Sequence, residues 1–538
     1  MNYVTPEMFG AKGDGSTDDS VAIQAAIDSN YPVLFENKTY LCSDIITKNC
    51  PNVTLIGKGQ TVIKWNITTS LGLRMYAAMI SDDDYQATPY LCTGNVHIEN
   101  IIFDGNDDNL SDHSGETFGL CAFYNRTNIT IKNTTFRNCH SDGLLALGIR
   151  NSIAITNSHF ENIALYTPGN RSRNAMTLSR MMWDRGEFKT VGVQTPLHAA
   201  ISNCSFYNIA DEVCRVDGFT NFLIQNCSFE NIGMHILETG HMTDTTEYSY
   251  QMINCVGKNI ARSVYNSGAD AGGNFQFKGN IKIENCIFTN MVWIDCPALD
   301  PRTATTTLVE GWTSGLKPDV FIENCTFTSP TLPTATSSSG NYIEQKDYYH
   351  FVSGENVSIK NCHIEYASTK VGVPFPVYNS LLIENCHLWF YYLTKGHYMA
   401  LEQDQGKIHF IRNRVYTQDI ETLIGTWENQ PHKDLDILIE KCIIGKSEGM
   451  TGFERNSIHS LLFCRTGCLN DNMSVRIIDN VINSPFVKRP IQTDSPDDFT
   501  AKMVVFSGNY ITSIEEDTVS NVQATFEFIK NNSNYNNE

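Results

Sequence analysis

The chain repeats one short signature, Ile-x-Asn-Cys-x-Phe, at intervals of one solenoid winding. It occurs as Ile201-Ser202-Asn203-Cys204-Ser205-Phe206, and again from Ile224 to Phe229, from Ile283 to Phe288 and from Ile322 to Phe327. Looser copies contain Asn254-Cys255, Asn361-Cys362, Asn385-Cys386 and Lys441-Cys442, and degenerate ones place Ile101, Thr134, Ser158, Arg414, Asn480 and Asn509 in the cysteine slot. Together these make roughly fourteen units averaging about 31 residues, as in a stack where each repeat buries its apolar face on its neighbours.

Each unit predicts a strand, a one-residue corner and a second strand. In Asn128-Ile129-Thr130-Ile131-Lys132 apolar and polar residues alternate with the period of two that a half-buried strand needs. Asn133 then shifts the phase, because asparagine tolerates left-handed backbone and bonds to neighbouring backbone groups. The helical spacing i, i+3, i+4, i+7 is absent from these segments. Windings about 4.8 Å apart then superpose Ile, Cys and Phe inside and Asn at the bend. The fold class is all-β, a single-stranded right-handed parallel β-helix.

A chain of 538 residues would ordinarily divide into several globular domains, but the repeat runs through nearly all of it, so one long solenoid is expected. Its parts are an N-terminal cap over 1–50, the β-helix over 51–515, and a C-terminal end with an Asn-rich tail over 516–538. Longer coils mark insertions near 166–196, 293–317, 328–349 and 451–472. A net charge of -20 argues against a nucleic-acid partner, and no apolar run reaches membrane-spanning length. The first residues lack the basic and apolar regions of a signal peptide, so cytoplasmic synthesis is expected. The 17 cysteines are odd in number and fall mostly in the inward slot, which predicts buried reduced thiols acting as small hydrophobes rather than a disulfide framework.

A solenoid needs a covered end. The Gly-rich loop Gly10-Ala11-Lys12-Gly13-Asp14-Gly15 leads to Thr17 or Asp18 as helix N-cap, and an Ala/Ile-rich helix follows to about Ser29. The first coil then takes Val33-Leu34-Phe35 and Thr39-Tyr40-Leu41 as strands. No cofactor is expected. Asp82-Asp83-Asp84 and Asp104-Gly105-Asn106-Asp107-Asp108 offer oxygen ligands of the kind calcium takes, but neither has the EF-hand spacing and solvated loop is the reading preferred.

The opening, Phe9-Gly10-Ala11-Lys12-Gly13-Asp14-Gly15 with Thr17-Asp18-Asp19 and Ala22-Ile23-Gln24, resembles that of the pectate-lyase-like superfamily of right-handed parallel β-helices, which includes phage tailspike and capsular depolymerase proteins and polygalacturonase-like hydrolases. The resemblance implies a polysaccharide-binding and polysaccharide-degrading protein of tailspike type. By it the partner is a bacterial surface glycan, the assembly a homotrimer and the location a virion tail released by lysis. The fold also hosts lyases, epimerases and non-catalytic adhesins, so β-elimination on uronates and receptor binding without catalysis are the alternatives.

Carbohydrate hydrolysis needs two carboxylates on opposite sides of the scissile bond. After each Cys-x-Phe the chain turns into a third strand, and successive windings there carry Asp211-Glu212 with Arg215, then His235 with Glu238, then Arg262. That order resembles the paired aspartates, histidine and basic residue of the polygalacturonase-like hydrolases, and Asp142 resembles their first catalytic aspartate, about two coils earlier. The resemblance makes Asp211 and Glu212 acid and base, His235 their orienting partner and Arg262 a binder of substrate carboxylate. Glu238 is a second acidic candidate, and Arg215, His241, Asp244 and Trp293 are candidates for substrate binding.

Overall fold

The computed structural model describes residues 3–44, 46–48, 51–66, 77–82, 94–109, 118–163, 174–179, 181–184, 187–190, 198–240, 247–260, 263–267, 278–291, 309–310, 318–328, 352, 354–368, 377–392, 400–401, 406–417, 420–426, 435–445, 458–464, 470–483, 491–493 and 501–511. They belong to two compact units, Met1–Phe277 with Asp295–Asp300, and Lys278–Ile294 with Pro301–Glu538. Each is a stack of parallel strands, the β-helix that the repeat predicts.

In the first unit the opening strands superpose Ile131, Ile155, Ile201, Ile224 and Met252, one per winding. The strands after the corner superpose Phe103, Phe136, Phe160, Phe206 and Phe229. Their rings stack at centroid distances of 5.4, 4.7, 5.1 and 5.3 Å and lie within 22° of parallel, an offset-stacked column of the kind aromatic quadrupoles favour. Burying one such ring is worth about 1.5–3 kcal/mol before the stacking is added. Third strands align Cys121, Leu144, Met176, Cys214, Leu237 and Tyr265.

Two left-handed positions steer each winding of this unit. Asn133, Asn157, Asn203, Asn226 and Asn254 have φ of 49–55° at the corner between the first two strands. Asn138, Asn162, Asn208, Asn231 and Asn259 repeat the conformation two residues after the phenylalanine slot, where the chain turns into the third strand. Asparagine suits both because it tolerates this region and its amide continues the ladder sideways. The Asn162 amide donates to Asn138 Oδ1 at 3.1 Å and Asn208 to Asn162 at 2.7 Å.

In the second unit the opening strands superpose Ile283, Ile322, Ile359, Ile383, Phe410, Ile439, Ile477 and Phe506. Here the slot after the corner does more than fill space. The N–H of Cys286 donates to Cys325 Sγ, that of Cys325 to Cys362 Sγ and that of Cys362 to Cys386 Sγ, each at 3.4 Å. The column goes on with Cys386 N–H to Asn413 Oδ1 at 2.9 Å, Asn413 N–H to Cys442 Sγ at 3.4 Å and Cys442 N–H to Asn480 Oδ1 at 2.8 Å. In the first unit Ser158 Oγ takes the Thr134 N–H in the same way at 3.3 Å.

The left-handed corner turns one N–H per winding away from the strand ladder, and a short acceptor in the next coil satisfies it. This explains why Cys, Ser, Thr and Asn share the slot, and it corrects the reading of these cysteines as hydrophobes alone. It also moves the slot from Arg414 to Asn413, with Arg412 at the corner at φ 55°. The twelve cysteines whose side chains are described are all buried and unbridged.

The cap is a helix over Ser20–Asp28 with Asp19, rather than Thr17 or Asp18, at its N-cap. Asp19 spends its carboxylate on the glycine loop, accepting from Lys12 N–H at 2.7 Å and Gly13 N–H at 3.0 Å. Asp14 folds the loop on itself by accepting from Ser16 and Thr17 N–H at 2.9 and 2.7 Å. The strands Val33–Phe35 and Thr39–Cys42 lie where the sequence places them. Among the described residues no helix is long and apolar enough to cross a membrane.

Candidate functional site

Five third strands of the first unit are entered through a corner whose residue lies two positions before the aligned Leu144, Met176, Cys214, Leu237 and Tyr265. That register places Asp142, Asn174, Glu212, His235 and Ser263 in one column, one per winding. Backbone bonds bind the column together. Ala175 N–H donates to Glu212 O at 2.9 Å, Val213 N–H to His235 O at 2.9 Å and Ile236 N–H to Ser263 O at 3.1 Å. All five side chains are buried, with Glu212 at 5 % exposure and His235 at 0 %. The sequence reading therefore has Glu212 and His235 in register, and Asp142 two coils before Glu212.

One position after the aligned residues, the strands present Thr177, Arg215 and Glu238, each partly exposed. A corner carboxyl reaches this position on the following coil. Asp142 Oδ1 accepts from Asn174 N–H at 3.0 Å and from Thr177 Oγ1 at 3.4 Å, while the Asn174 amide donates to Thr177 Oγ1 at 2.9 Å. Glu212 likewise meets Glu238, and it also bonds its neighbour Asp211. Burial, helped by the adjacent Asp211 carboxylate, pushes the Glu212 carboxyl up to about 8; the contact with Glu238 and the charge of Arg215 oppose this, and the bond to Asp211 adds to it. At neutral pH the cluster thus holds a carboxylic acid where an unperturbed glutamate would be ionised.

Beneath the cluster His235 Nδ1 lies 2.5 Å from Ser263 Oγ, which fixes its ring. Gly233 sets the approach of this winding to the previous one, since a Cβ there would come within 2.1 Å of Ala210 O. Arg215 Nε is 3.8 Å from Asp217 Oδ1, two residues along the same strand.

Asp142, Asp211, Glu212, Arg215, His235 and Glu238 are therefore gathered into one neighbourhood. Arg262, His241, Asp244 and Trp293 lie outside the described residues. Sequence reasoning missed Asn174, Thr177 and Ser263. Ser263 could have been found from its spacing to Val264-Tyr265, but the connection from the Ser158 copy to Asn174 is twice as long as that from Cys204 to Glu212 or from Cys227 to His235, which hides its place. Of the calcium candidates, Asp83 and Asp84 are outside the described residues. Asp104 is buried rather than solvated, and its carboxylate takes Arg137 Nε at 2.8 Å, Asn138 Nδ2 at 3.2 Å and Asn106 N–H at 2.9 Å, donors a cation would have to displace.

Residues 7–237 match a family described as rhamnogalacturonase A/epimerase, pectate lyase-like. A capsule depolymerase of Klebsiella phage K5-2, specific for K30/K69, is 39 % identical over 61 residues, 11 % of this chain and 8 % of that protein. The plasmin and fibronectin-binding protein A of Streptococcus pneumoniae is 24 % identical over 277 residues, 40 % of this chain and 38 % of that one. The matches thus span less than half the length of these two curated relatives. The crystal structure of PfbA, a surface adhesin of the same bacterium, aligns with a TM-score of 0.48 at 16 % identity over 78 % of this chain and 92 % of its own. The likeness to pectate-lyase-like β-helices carried by Phe9–Gln24 accordingly holds over residues 7–237, the stretch that contains Asp142, Asp211 and Glu212.

Proposed function

We propose that this protein cleaves a bacterial surface polysaccharide by acid/base glycoside hydrolysis, as a virion-borne depolymerase, with Glu212 as proton donor and Asp142 as the base that activates water. The observation that carries the reading is a buried Glu212, its carboxyl pushed up to about 8 by burial, placed two windings from a hydrogen-bonded Asp142. Two windings separate their backbones by about 9.6 Å, and because Asp142 and Glu212 each lean toward the following coil the gap stays near that value, at the upper end of the roughly 6.5–9.5 Å that an inverting pair spans to admit a water. Asp211 and Glu212 are neighbours in one acidic group, and in this reading they act together rather than on opposite sides of a sugar ring. Glu238 and Arg215 flank the acid.

In the reaction Glu212 delivers its proton to the glycosidic oxygen while Asp142 takes one from the attacking water, giving two sugar ends with inverted anomeric configuration. His235, held by Ser263, supports the floor of the site. A homotrimer fits the tailspike-type reading, and a solution mass of three chains would agree with it.

The test incubates the protein with a panel of purified capsular polysaccharides, reading reducing ends, ultraviolet absorbance of unsaturated products and anomeric configuration by NMR. New reducing ends of inverted configuration are expected, with losses of about 10²–10⁴-fold in Glu212→Gln and Asp142→Asn. Unsaturated products would replace hydrolysis with β-elimination. The match to a plasmin and fibronectin-binding protein favours a second reading, a binding protein without catalysis. Retained cell or glycan binding with no release of oligosaccharide, unchanged in both variants, would establish it.

A further inference from the structure

On the outward side of the second unit, three consecutive windings place paired residues in register on the strand that follows the corner. His363 and Glu365 align with His387 and Trp389, and these with Arg414 and Tyr416. The alternate residues Ile364, Leu388 and Val415 are buried, so the six form one face. The Trp389 and Tyr416 rings are 4.8 Å apart and tilted by 52°, the His363 ring is 6.5 Å from Trp389, and the two histidine rings are 6.2 Å apart. One row across the windings is thus cationic or potentially so, His363, His387 and Arg414. The other, about 6.7 Å along the strands, is mainly aromatic.

Charge sorting sets this face apart from its counterpart in the first unit. There the same two rows read Thr135, His159, Ser205, Ser228, Val256 and Arg137, Glu161, Tyr207, Glu230, Lys258. Two acids and two bases share the second row, and His159 is engaged by Glu161 at 3.0 Å and Ser205 at 2.5 Å. In the second unit a single carboxylate, Glu365, serves His363 at 3.1 Å, while His387 and Arg414 are exposed beside the rings. Burial together with the charges of Arg414 and His363 holds His387 below its usual range, as expected where positive groups crowd without enough acid to neutralise them.

We propose that Trp389 and Tyr416 with His387 and Arg414 form a second glycan-binding site, separate from the carboxylate column, that takes an acidic polysaccharide. The apolar face of a sugar ring stacks on the aromatic pair, and Arg414 with His387 receives the ring's carboxylate. On a chain of net charge -20 such a patch supplies the local attraction a polyanion requires. The inference rests on the glycan reading above but not on catalysis.

Equilibrium binding to the full chain tests it, with a size-defined oligogalacturonate as probe and maltoheptaose and polyglutamate as controls. Wild type and the Glu212→Gln variant are expected to bind oligogalacturonate equally and both controls at least about tenfold more weakly. Trp389→Ala and Arg414→Ala each lower that affinity about tenfold, whereas Trp389→Phe stays within about threefold, thermal melts reporting that all are folded. Unchanged affinity in both alanine variants, equal binding of polyglutamate, or no binding of oligogalacturonate by the folded wild type would overturn the site. Loss of cleavage in Glu212→Gln with binding intact would leave it standing, so failure of the catalytic reading and failure of this one are told apart.

Discussion

The two units build their first two strands by the same rule and use their third strands differently. In the second unit the described third strands bury Leu423, Ile424, Leu461, Leu462 and Ile491, an apolar lining. In the first, the inner positions are similarly apolar, but the corner before each strand holds Asp142, Asn174, Glu212, His235 and Ser263. The stack is therefore sustained by isoleucine, the slot and phenylalanine, and the entrance to the third strand is free to carry chemistry. Buried polar groups persist there because they have partners on the same or the next winding.

Four measurements break or sharpen this contrast. The largest effect is expected in the shared core. Phe160 stacks on rings above and below, so Phe160→Ala lowers unfolding free energy by about 3–5 kcal/mol, read by chemical denaturation. A loss as small as that of a surface change would show that the ring column is not what carries the stack.

Next comes the slot. Asn413 accepts from Cys386 N–H and donates to Ile383 O at 2.8 Å, both buried, whereas Cys362 accepts from Cys325 N–H through sulfur. Each stranded buried group costs about 1–3 kcal/mol, so Asn413→Ala destabilises more than Cys362→Ala, and Cys362→Ser costs less than either. Equal losses for Cys362→Ala and Cys362→Ser would return the slot to simple packing.

The third measurement concerns pH in the polar column. Glu212 binds its proton more tightly folded, at about 8, than its ordinary 4.5, so the stability it lends is full below about 4.5 and is lost as pH rises through 8. Glu212→Gln should show a smaller fall in melting temperature between pH 5 and pH 9 than the parent. Cleavage by the parent should decline above pH 8 as the acid ionises. Parallel melting profiles for the two proteins would put the Glu212 carboxyl back among ordinary glutamates.

The smallest effect lies at the corner of the second unit, where Lys441 holds φ 55° in place of asparagine. Its ion pair with Glu440 is exposed and contributes little. Lys441→Asn should stabilise by at most about 1 kcal/mol, and any destabilisation would count against a conformational reason for asparagine at these bends.

The fold was legible because most windings carry an asparagine with positive φ and, three residues on, an inward phenylalanine or aliphatic residue, regardless of what lies between. Legibility failed where a neighbour stood in for the rule. Asn413 sits beside an arginine rather than an asparagine at the bend, so its slot seemed to fall on Arg414. At the cap, Asp19 could not be told from Thr17 or Asp18, since all three are helix-starting residues and only the fold reveals that Asp19 holds the glycine loop. In the site, Glu212 and His235 fall in one register because each follows a repeat copy at a similar spacing. The direct bond between Asp211 and Glu212 was not legible, since sequence adjacency says nothing of where two side chains turn.

The acceptor column has a consequence for how such a chain drifts. Because the bend asks only for one short atom that can receive a proton, sulfur, hydroxyl and amide oxygen are synonyms there, and 24 to 39 residues of separation between rungs impose no common length on the connections. A lineage can therefore shed its thiols rung by rung, or lengthen any connection, while the spine keeps its pitch. Novelty in what the molecule recognises then comes from outgrowths whose sequences owe the spine nothing.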